Sequence, residues 1–282
     1  MSYLILVRHG ESRWNLANKF TGWVDVPLSE IGVHEALITA ERLNNINLDV
    51  AFTSKLIRAH ETLGLILAHQ QKTGIFLHTS KRRNIWSKHS KGVDFDETEL
   101  PIYSSDKINE RYYGALQGLN KDDARLKWGK EKVFQWRRSY DIRPPSGESL
   151  KDVVKRAVPY FQKHIMPEVR RHKNVIVAAH GNSLRAIIKY IDNISDEDIP
   201  HLELQTGKPI IYEYDGGQLH KLNHVHSFDR PIHWKELKRE EGGYLNAKAT
   251  SNEEKTVKKQ NTKTTTKKTK QITRRSLSGL KK

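Results

Sequence analysis

The sequence predicts an α/β fold with a mainly parallel central sheet and helices on both faces, and three observations lead there. Leu4-Ile5-Leu6-Val7, Val50-Ala51-Phe52-Thr53 and Val175-Ile176-Val177-Ala178-Ala179 are short continuous apolar runs, the pattern of strands buried on both faces. Each is followed along the chain by a stretch whose apolar residues recur at helical spacing, and repeated strand–helix alternation builds a sheet covered on two sides. No apolar run approaches the roughly 18 residues that span a bilayer, and the chain has no cysteine. A membrane span, a disulfide scaffold, a zinc finger and thiol chemistry are therefore excluded, and the balance fits a cytoplasmic protein.

In chain order, the run at 4–7 is the first strand; the apolar stretch at 3–7 is too short for a signal-peptide core. Ser29 is placed to cap a helix carrying Ala36, Leu37, Ala40 and Leu43. The run at 50–53 is the second strand, and Ser54 is expected to cap a helix through Leu56, Ala59, Leu63 and Leu67. Residues 76–99 are polar and mixed in charge, which reads as a surface insertion. Pro144, Pro145 and Gly147 mark a compact turn, and Ser149 begins a long helix through Val153, Val154, Ala157, Phe161 and Ile165. The strand at 175–179 is followed by a helix over 183–191, and 209–214 reads as a late strand.

Of the net charge of +16, residues 246–282 hold +10, from twelve Lys and Arg against Glu253 and Glu254. The segment Thr262-Lys263-Thr264-Thr265-Thr266-Lys267-Lys268-Thr269-Lys270 has almost nothing apolar to bury and is expected to be disordered. The organisation is thus a domain over 1–245 and a basic tail over 246–282, whose partner the sequence does not name. A polyanion-binding role of the tail is the reading from another class; no nucleic acid is needed for the function read below.

The chemistry sits at strand ends, where ligands bind in a parallel sheet. The first strand runs into Arg8-His9-Gly10-Glu11, and the strand at 175–179 runs into His180-Gly181-Asn182. Packing does not require two His-Gly steps after two buried strands. Gly10 is expected to let a ligand approach the backbone closely. Such a pair suits phosphoryl transfer through a phosphohistidine, since neutral imidazole is a good nucleophile near pH 7. Transfer also needs guanidinium groups on the phosphoryl oxygens, and Arg8 and Arg58 are at hand.

Six motifs in order carry a family resemblance. They are Leu6-Val7-Arg8-His9-Gly10-Glu11-Ser12 with Trp14-Asn15; Phe20-Thr21-Gly22-Trp23-Val24-Asp25; Thr53-Ser54-Lys55-Leu56-Ile57-Arg58-Ala59; Asn109-Glu110-Arg111-Tyr112-Tyr113-Gly114 through Lys121; Trp136-Arg137-Arg138; and Ala179-His180-Gly181-Asn182-Ser183-Leu184-Arg185. The chain resembles the histidine phosphatase superfamily and, within it, the cofactor-dependent phosphoglycerate mutases, from residue 3 to about 215. The resemblance implies a phosphoglycerate mutase-like three-layer sandwich that interconverts 3-phosphoglycerate and 2-phosphoglycerate. It implies priming by 2,3-bisphosphoglycerate and no metal.

It also implies roles. His9 is the phosphorylated nucleophile and Glu110 the acid/base, while Arg8, Arg58 and His180 clamp the transferring group. Asn15, Thr21, Gly22, Gly181 and Asn182 complete the phosphoryl pocket, with Gly10, Glu11 and Ser12 in the first motif. Tyr113, Lys121, Arg137 and Arg138, with Arg111 and Tyr112 beside them, hold the carboxylate end or the second phosphate. The long match around Glu110 and the pair Arg137-Arg138 favour a mutase over a phosphatase, and Ser12 favours the glycolytic mutase over bisphosphoglycerate mutase. Tyr112 stands where the family usually has histidine. The insertion lies near a segment often used for subunit contacts, which leaves a homo-oligomer open. His224 and His226 lack a third ligand of suitable spacing and are discounted as a metal site. Trp14, Trp23, Trp128 and Trp136 are read as packing residues.

Overall fold

The computed structural model describes residues 1–77 and 95–222. Its strands are β1 (Ser2–Arg8), β2 (Val50–Thr53), β3 (Thr73–Leu77), β4 (Glu99–Ser104), β5 (Val175–Ala179), β6 (Pro209–Asp215) and β7 (Gln218–Lys221). They form one sheet in the order β3-β4-β2-β5-β1-β6-β7. The first five of that order run parallel, and β6 and β7 join antiparallel at one side. The mainly parallel sheet expected from the apolar runs is present, and all of β2 and β5 is buried.

Alternation along the strands sends side chains to two cores. Leu4, Leu6, Phe52, Val175 and Val177 face one side. There they meet α6 (Leu150–Tyr160), a π-turn over Phe161–Ile165, α7 (Met166–Arg170) and α8 (Gly181–Ile191). Ile5, Val7, Ala51, Ile176 and Ala178 face the other side, against α2 (Glu30–Arg42) and α3 (Ile57–His69). Ser29 caps α2 by accepting from the Gly32 N–H, and Ser149 caps α6 in a reciprocal box with Asp152. A third, smaller core of Phe20, Leu116, Ala124, Val133 and Trp136 supports α4 (Lys121–Trp128) and α5 (Lys130–Arg138). A short helix, α1 (Arg13–Leu16), follows β1.

Two expectations change. Residues 76–99 are not wholly an insertion: Phe76 and Leu77 end β3 and Glu99 opens β4, paired from Thr73↔Glu99 to Leu77↔Tyr103. β3 is an edge strand whose residues are only half-buried or exposed, so it lacks the apolar run that marks the central strands. Ser54 does not cap α3, whose N-cap is Leu56 with no side-chain bond. The tail 246–282, the boundary at 245, and His224 and His226 lie outside the described residues, as do residues 78–94 of the insertion.

Candidate active site

Strand register assembles the site. β1 and β5 are parallel with Arg8 opposite Ala179, so His9 and His180 leave the sheet side by side, with ring centroids 4.9 Å apart. β2 flanks β5 on its other side, and Ser54, just past its end, places Oγ 2.7 Å from His180 Nε2. The same Oγ accepts from the N–H of Leu56, the N-cap residue of α3, at 3.1 Å. Gly10 does not yield to a ligand: a Cβ there would lie 2.2 Å from the Gly32 carbonyl oxygen, so glycine lets the turn abut the first turn of α2.

His9 is held in one tautomer. Its Nδ1 lies 2.6 Å from the Gly10 carbonyl, which only accepts, so Nδ1 carries the proton. Nε2 then presents its lone pair, to which Arg58 Nε donates at 3.3 Å. Arg58 is itself fixed by the carbonyls of Val24 (3.0 Å) and Gly22 (2.8 Å), and burial lowers its pKa to about 10, leaving it charged at neutral pH. Burial first, then Arg58 and Arg8, push the His9 imidazole well below its ordinary value. Burial and the same arginines act likewise on His180. A neutral, oriented imidazole next to guanidinium groups is a nucleophile prepared for an anionic electrophile.

The same burial predicts a pH-dependent stability. The unfolded chain takes up a proton near the ordinary imidazole value of 6.5, while native His9 does not. Acidification from about pH 7.5 to 5.5 therefore favours unfolding, by up to roughly 1.4 kcal/mol per pH unit for this histidine. Urea unfolding of wild type and His9→Asn across that range checks this: the asparagine variant should lose stability less steeply.

Glu110 faces the same cavity. Its Oε1 accepts from the Arg111 N–H at 2.7 Å, from the Asn182 N–H at 3.3 Å and from Asn182 Nδ2 at 2.8 Å, which leaves Oε2 for a ligand. Its carbonyl accepts from Trp23 Nε1 at 2.5 Å and Arg156 Nη2 at 2.9 Å. Arg156 also grips Glu148 with two bonds of 2.9 Å, so the loop bearing Glu110 is clamped from α6.

Cations and donors converge on this cavity: Arg8, Arg58, Lys121, Arg137, Arg138 and Arg185 line it, together with Asn15, Thr21, Gly22, Tyr113, Gly181 and Asn182. The short helical cap α4–α5 supplies Lys121, Arg137 and Arg138, and Arg138 pairs with Glu203 at 2.5 Å. Arg8 Nε, Thr21 Oγ1 and Arg185 Nε are buried with no hydrogen-bond partner among the described residues. Burial and the neighbouring arginines lower the Lys121 pKa to about 8. The chemistry that fits is transfer of a phosphoryl group to and from His9 Nε2, with charge balanced by arginine.

Several expected contact residues stand behind the cavity wall. Ser12 is fully buried: Asn15 Oδ1 accepts from its N–H and hydroxyl, which turns Asn15 Nδ2 outward. The Glu11 carboxylate accepts from Ser29 Oγ at 2.9 Å, on the α2 side. Arg111, also fully buried, lies over the Tyr113 ring and donates to the Arg137 carbonyl, supporting two lining residues. Tyr112 packs edge-on against Trp23, and His180 supports His9 from beside it without lining the cavity. The residues not assigned a role from sequence are Arg185, Arg156, Lys19 and the segment 202–204, whose Leu204 carbonyl accepts from Arg8 Nη1 at 2.6 Å.

A buried nucleophilic histidine, a fixed carboxylate and a ring of cations at parallel strand ends define a phosphoryl-transfer site of the phosphohistidine type. The chain belongs to the histidine phosphatase superfamily (branch 1), whose family model matches residues 4–80 and 95–225. The break in that match falls within the expected insertion. The chain is 49% identical over 237 residues to the 2,3-bisphosphoglycerate-dependent phosphoglycerate mutase of Methanosarcina acetivorans, covering 79% of this chain and 96% of the relative. It is 51% identical over 222 residues to the enzyme of the same description from Gloeothece citriformis, covering 76% and 95%. Among solved structures it is similar to Bacillus stearothermophilus YhfR, with a TM-score of 0.60 and 23% identity over 81% of this chain and all of that one. A mycobacterial glucosyl-3-phosphoglycerate phosphatase gives 0.61 at 20% identity, covering 80% and 98%. Both share the fold.

Proposed function

We propose that the chain interconverts 3-phosphoglycerate and 2-phosphoglycerate in the cytoplasm by way of a phosphohistidine at His9. The observation that carries the proposal is a nucleophilic His9 Nε2 sharing one cavity with a fixed carboxylate, Glu110, and with more cations than one phosphate requires. The identities of about one half to proteins described as 2,3-bisphosphoglycerate-dependent phosphoglycerate mutases support it.

The residues fit 2,3-bisphosphoglycerate. Its two phosphates and carboxylate call for several converging donors, and Arg8 Nε, Thr21 Oγ1 and Arg185 Nε are buried donors that no group among the described residues satisfies. Arg8, Arg58, Asn15 and Thr21 would hold the transferring end, and Lys121, Arg137, Arg138 and Tyr113 the other. When bound, the bisphosphate supplies the phosphoryl group that primes His9. His9 Nε2 gains the bond to phosphorus as the ester oxygen leaves, and Glu110 Oε2 gives that oxygen its proton. In the reverse sense Glu110 takes the proton from the accepting hydroxyl while His9 gives up the phosphoryl group. The hydrogen bond from Nδ1 to the Gly10 carbonyl spreads the positive charge of the substituted ring, and Arg58 Nε can pass from Nε2 to a phosphoryl oxygen.

Incubation with 3-phosphoglycerate, followed by 31P NMR, tests the function: 2-phosphoglycerate should accumulate, and inorganic phosphate as the main product would replace the mutase by a phosphatase. Lys121 gives a pH prediction. With its pKa at about 8 it is charged below that pH and neutral above, so KM for 3-phosphoglycerate should rise several-fold between pH 7 and 9. Lys121→Arg, which keeps its charge, should flatten that rise.

A further inference from the structure

We infer that Arg185 is a positioning residue that fixes the orientation of the Asn182 amide and, through it, the Glu110 carboxylate. Arg185 sits three residues after Asn182 in α8, hence on the same helix face. Its Nη1 donates to Asn182 Oδ1 at 3.3 Å, its Nη2 donates to the Ile199 carbonyl, and the side chain is almost wholly buried.

The chemistry of the three groups leaves one arrangement. A guanidinium can only donate and a carboxylate can only accept, so Asn182 must turn Oδ1 to Arg185 and Nδ2 to Glu110. The 2.8 Å bond from Nδ2 to Glu110 Oε1 is the consequence. With no donor at position 185, Asn182 Oδ1 loses the Arg185 bond and the amide is held at its nitrogen end alone. It can then rock about that end and take Glu110 out of the rotamer that keeps Oε2 on the cavity. The other groups facing Glu110 do not orient the amide: Arg111 bonds Oε1 through its backbone, Arg156 and Trp23 bond the carbonyl, and Arg8 Nε lies by Gly181 on the Oε2 side. Tyr113 Oη lies 3.4 Å from Asn182 Nδ2, but a hydroxyl both donates and accepts and so suits either orientation. Ile199 serves as the anchor, opening the turn Ile199–His201 that leads to the cavity-lining segment 202–204.

The test uses full-length protein with Arg185→Met, which keeps length and loses the donors, and Arg185→Lys, which keeps one. In 15N-labelled protein the Asn182 side-chain amide pair, identified by its loss in Asn182→Ser, should show one strongly downfield proton in wild type. That signature should weaken and broaden in Arg185→Met, where the amide is held at one end, and persist in Arg185→Lys. In parallel, kcat for 3-phosphoglycerate isomerisation should fall at least 10-fold in Arg185→Met and recover in part in Arg185→Lys. A folded Arg185→Met protein with the wild-type amide signature would overturn the inference; Arg185→Ala is read in the same way if methionine does not pack. The inference rests on Glu110 as the acid/base of the proposed function, but the amide signature needs no turnover. Absent isomerisation in wild type would count against the mutase alone.

Discussion

Replacing His9 by asparagine is expected to lower isomerisation by roughly 10⁴-fold or more, the scale on which loss of a covalent nucleophile acts. Asparagine keeps a donor for the Gly10 carbonyl and adds no bulk against Arg58, so the fold should survive. It presents no lone pair of comparable nucleophilicity at the position of Nε2. Binding should persist, because Arg8, Arg58 and the cap cations remain. Steady-state rates with and without 2,3-bisphosphoglycerate check the first point, and a thermal-shift titration with 3-phosphoglycerate checks the second. Residual activity near wild type would remove the phosphohistidine from the account.

Replacing Glu110 by glutamine is expected to cost roughly 10²- to 10⁴-fold in kcat, the usual contribution of a general acid/base. Glutamine can keep an oxygen where Oε1 accepts three hydrogen bonds, so the change is confined to the proton-carrying oxygen. The effect should depend on the leaving group. A phosphate ester with an alkoxide leaving group needs the proton, while p-nitrophenyl phosphate does not. Phosphorylation of His9 by the aryl ester should fall far less in Glu110→Gln than phosphorylation by 2,3-bisphosphoglycerate. Equal losses with both donors would show that Glu110 holds the site together without moving a proton.

The parts of this fold legible in the sequence are those dictated locally. β1, β2 and β5 are buried on both faces and announce themselves as apolar runs, and Ser29 and Ser149 cap helices in the positions their spacing suggests. The histidines were legible for the same reason, since each follows a buried strand. β3 and β4 are not legible as strands for two reasons: β3 lies at the sheet edge and need not be apolar, and β4, between β3 and β2, buries only Leu100 and Ile102, so neither shows a continuous apolar run. Ser54 bonds the N–H of Leu56 at the start of α3, a local contact, but its other partner, His180, lies 126 residues away and comes near only through the pairing of β2 with β5.

Site residues followed the same division. Arg8, His9, Arg58, Glu110 and the cap cations reach one cavity as the motifs implied, but Glu11, Ser12 and Arg111 act from behind it, and Tyr112 packs against Trp23 on an exposed face. Neighbours of a ligand-facing residue in a turn point elsewhere, and only coordinates say where. Arg185 closes the sixth motif, but nothing in the sequence alone gives it a role. The helix was expected to begin at 183, and only its true start at Gly181 brings Asn182 and Arg185 onto one helical face.

The most direct test of the central claim is to incubate the protein with 32P-labelled 2,3-bisphosphoglycerate in the presence of chelator, isolate the phosphoprotein without acid, and chase it with unlabelled 3-phosphoglycerate. The account predicts acid-labile label on the peptide containing His9 that passes quantitatively into phosphoglycerates. Absence of label on His9, or its departure as inorganic phosphate alone, would contradict it.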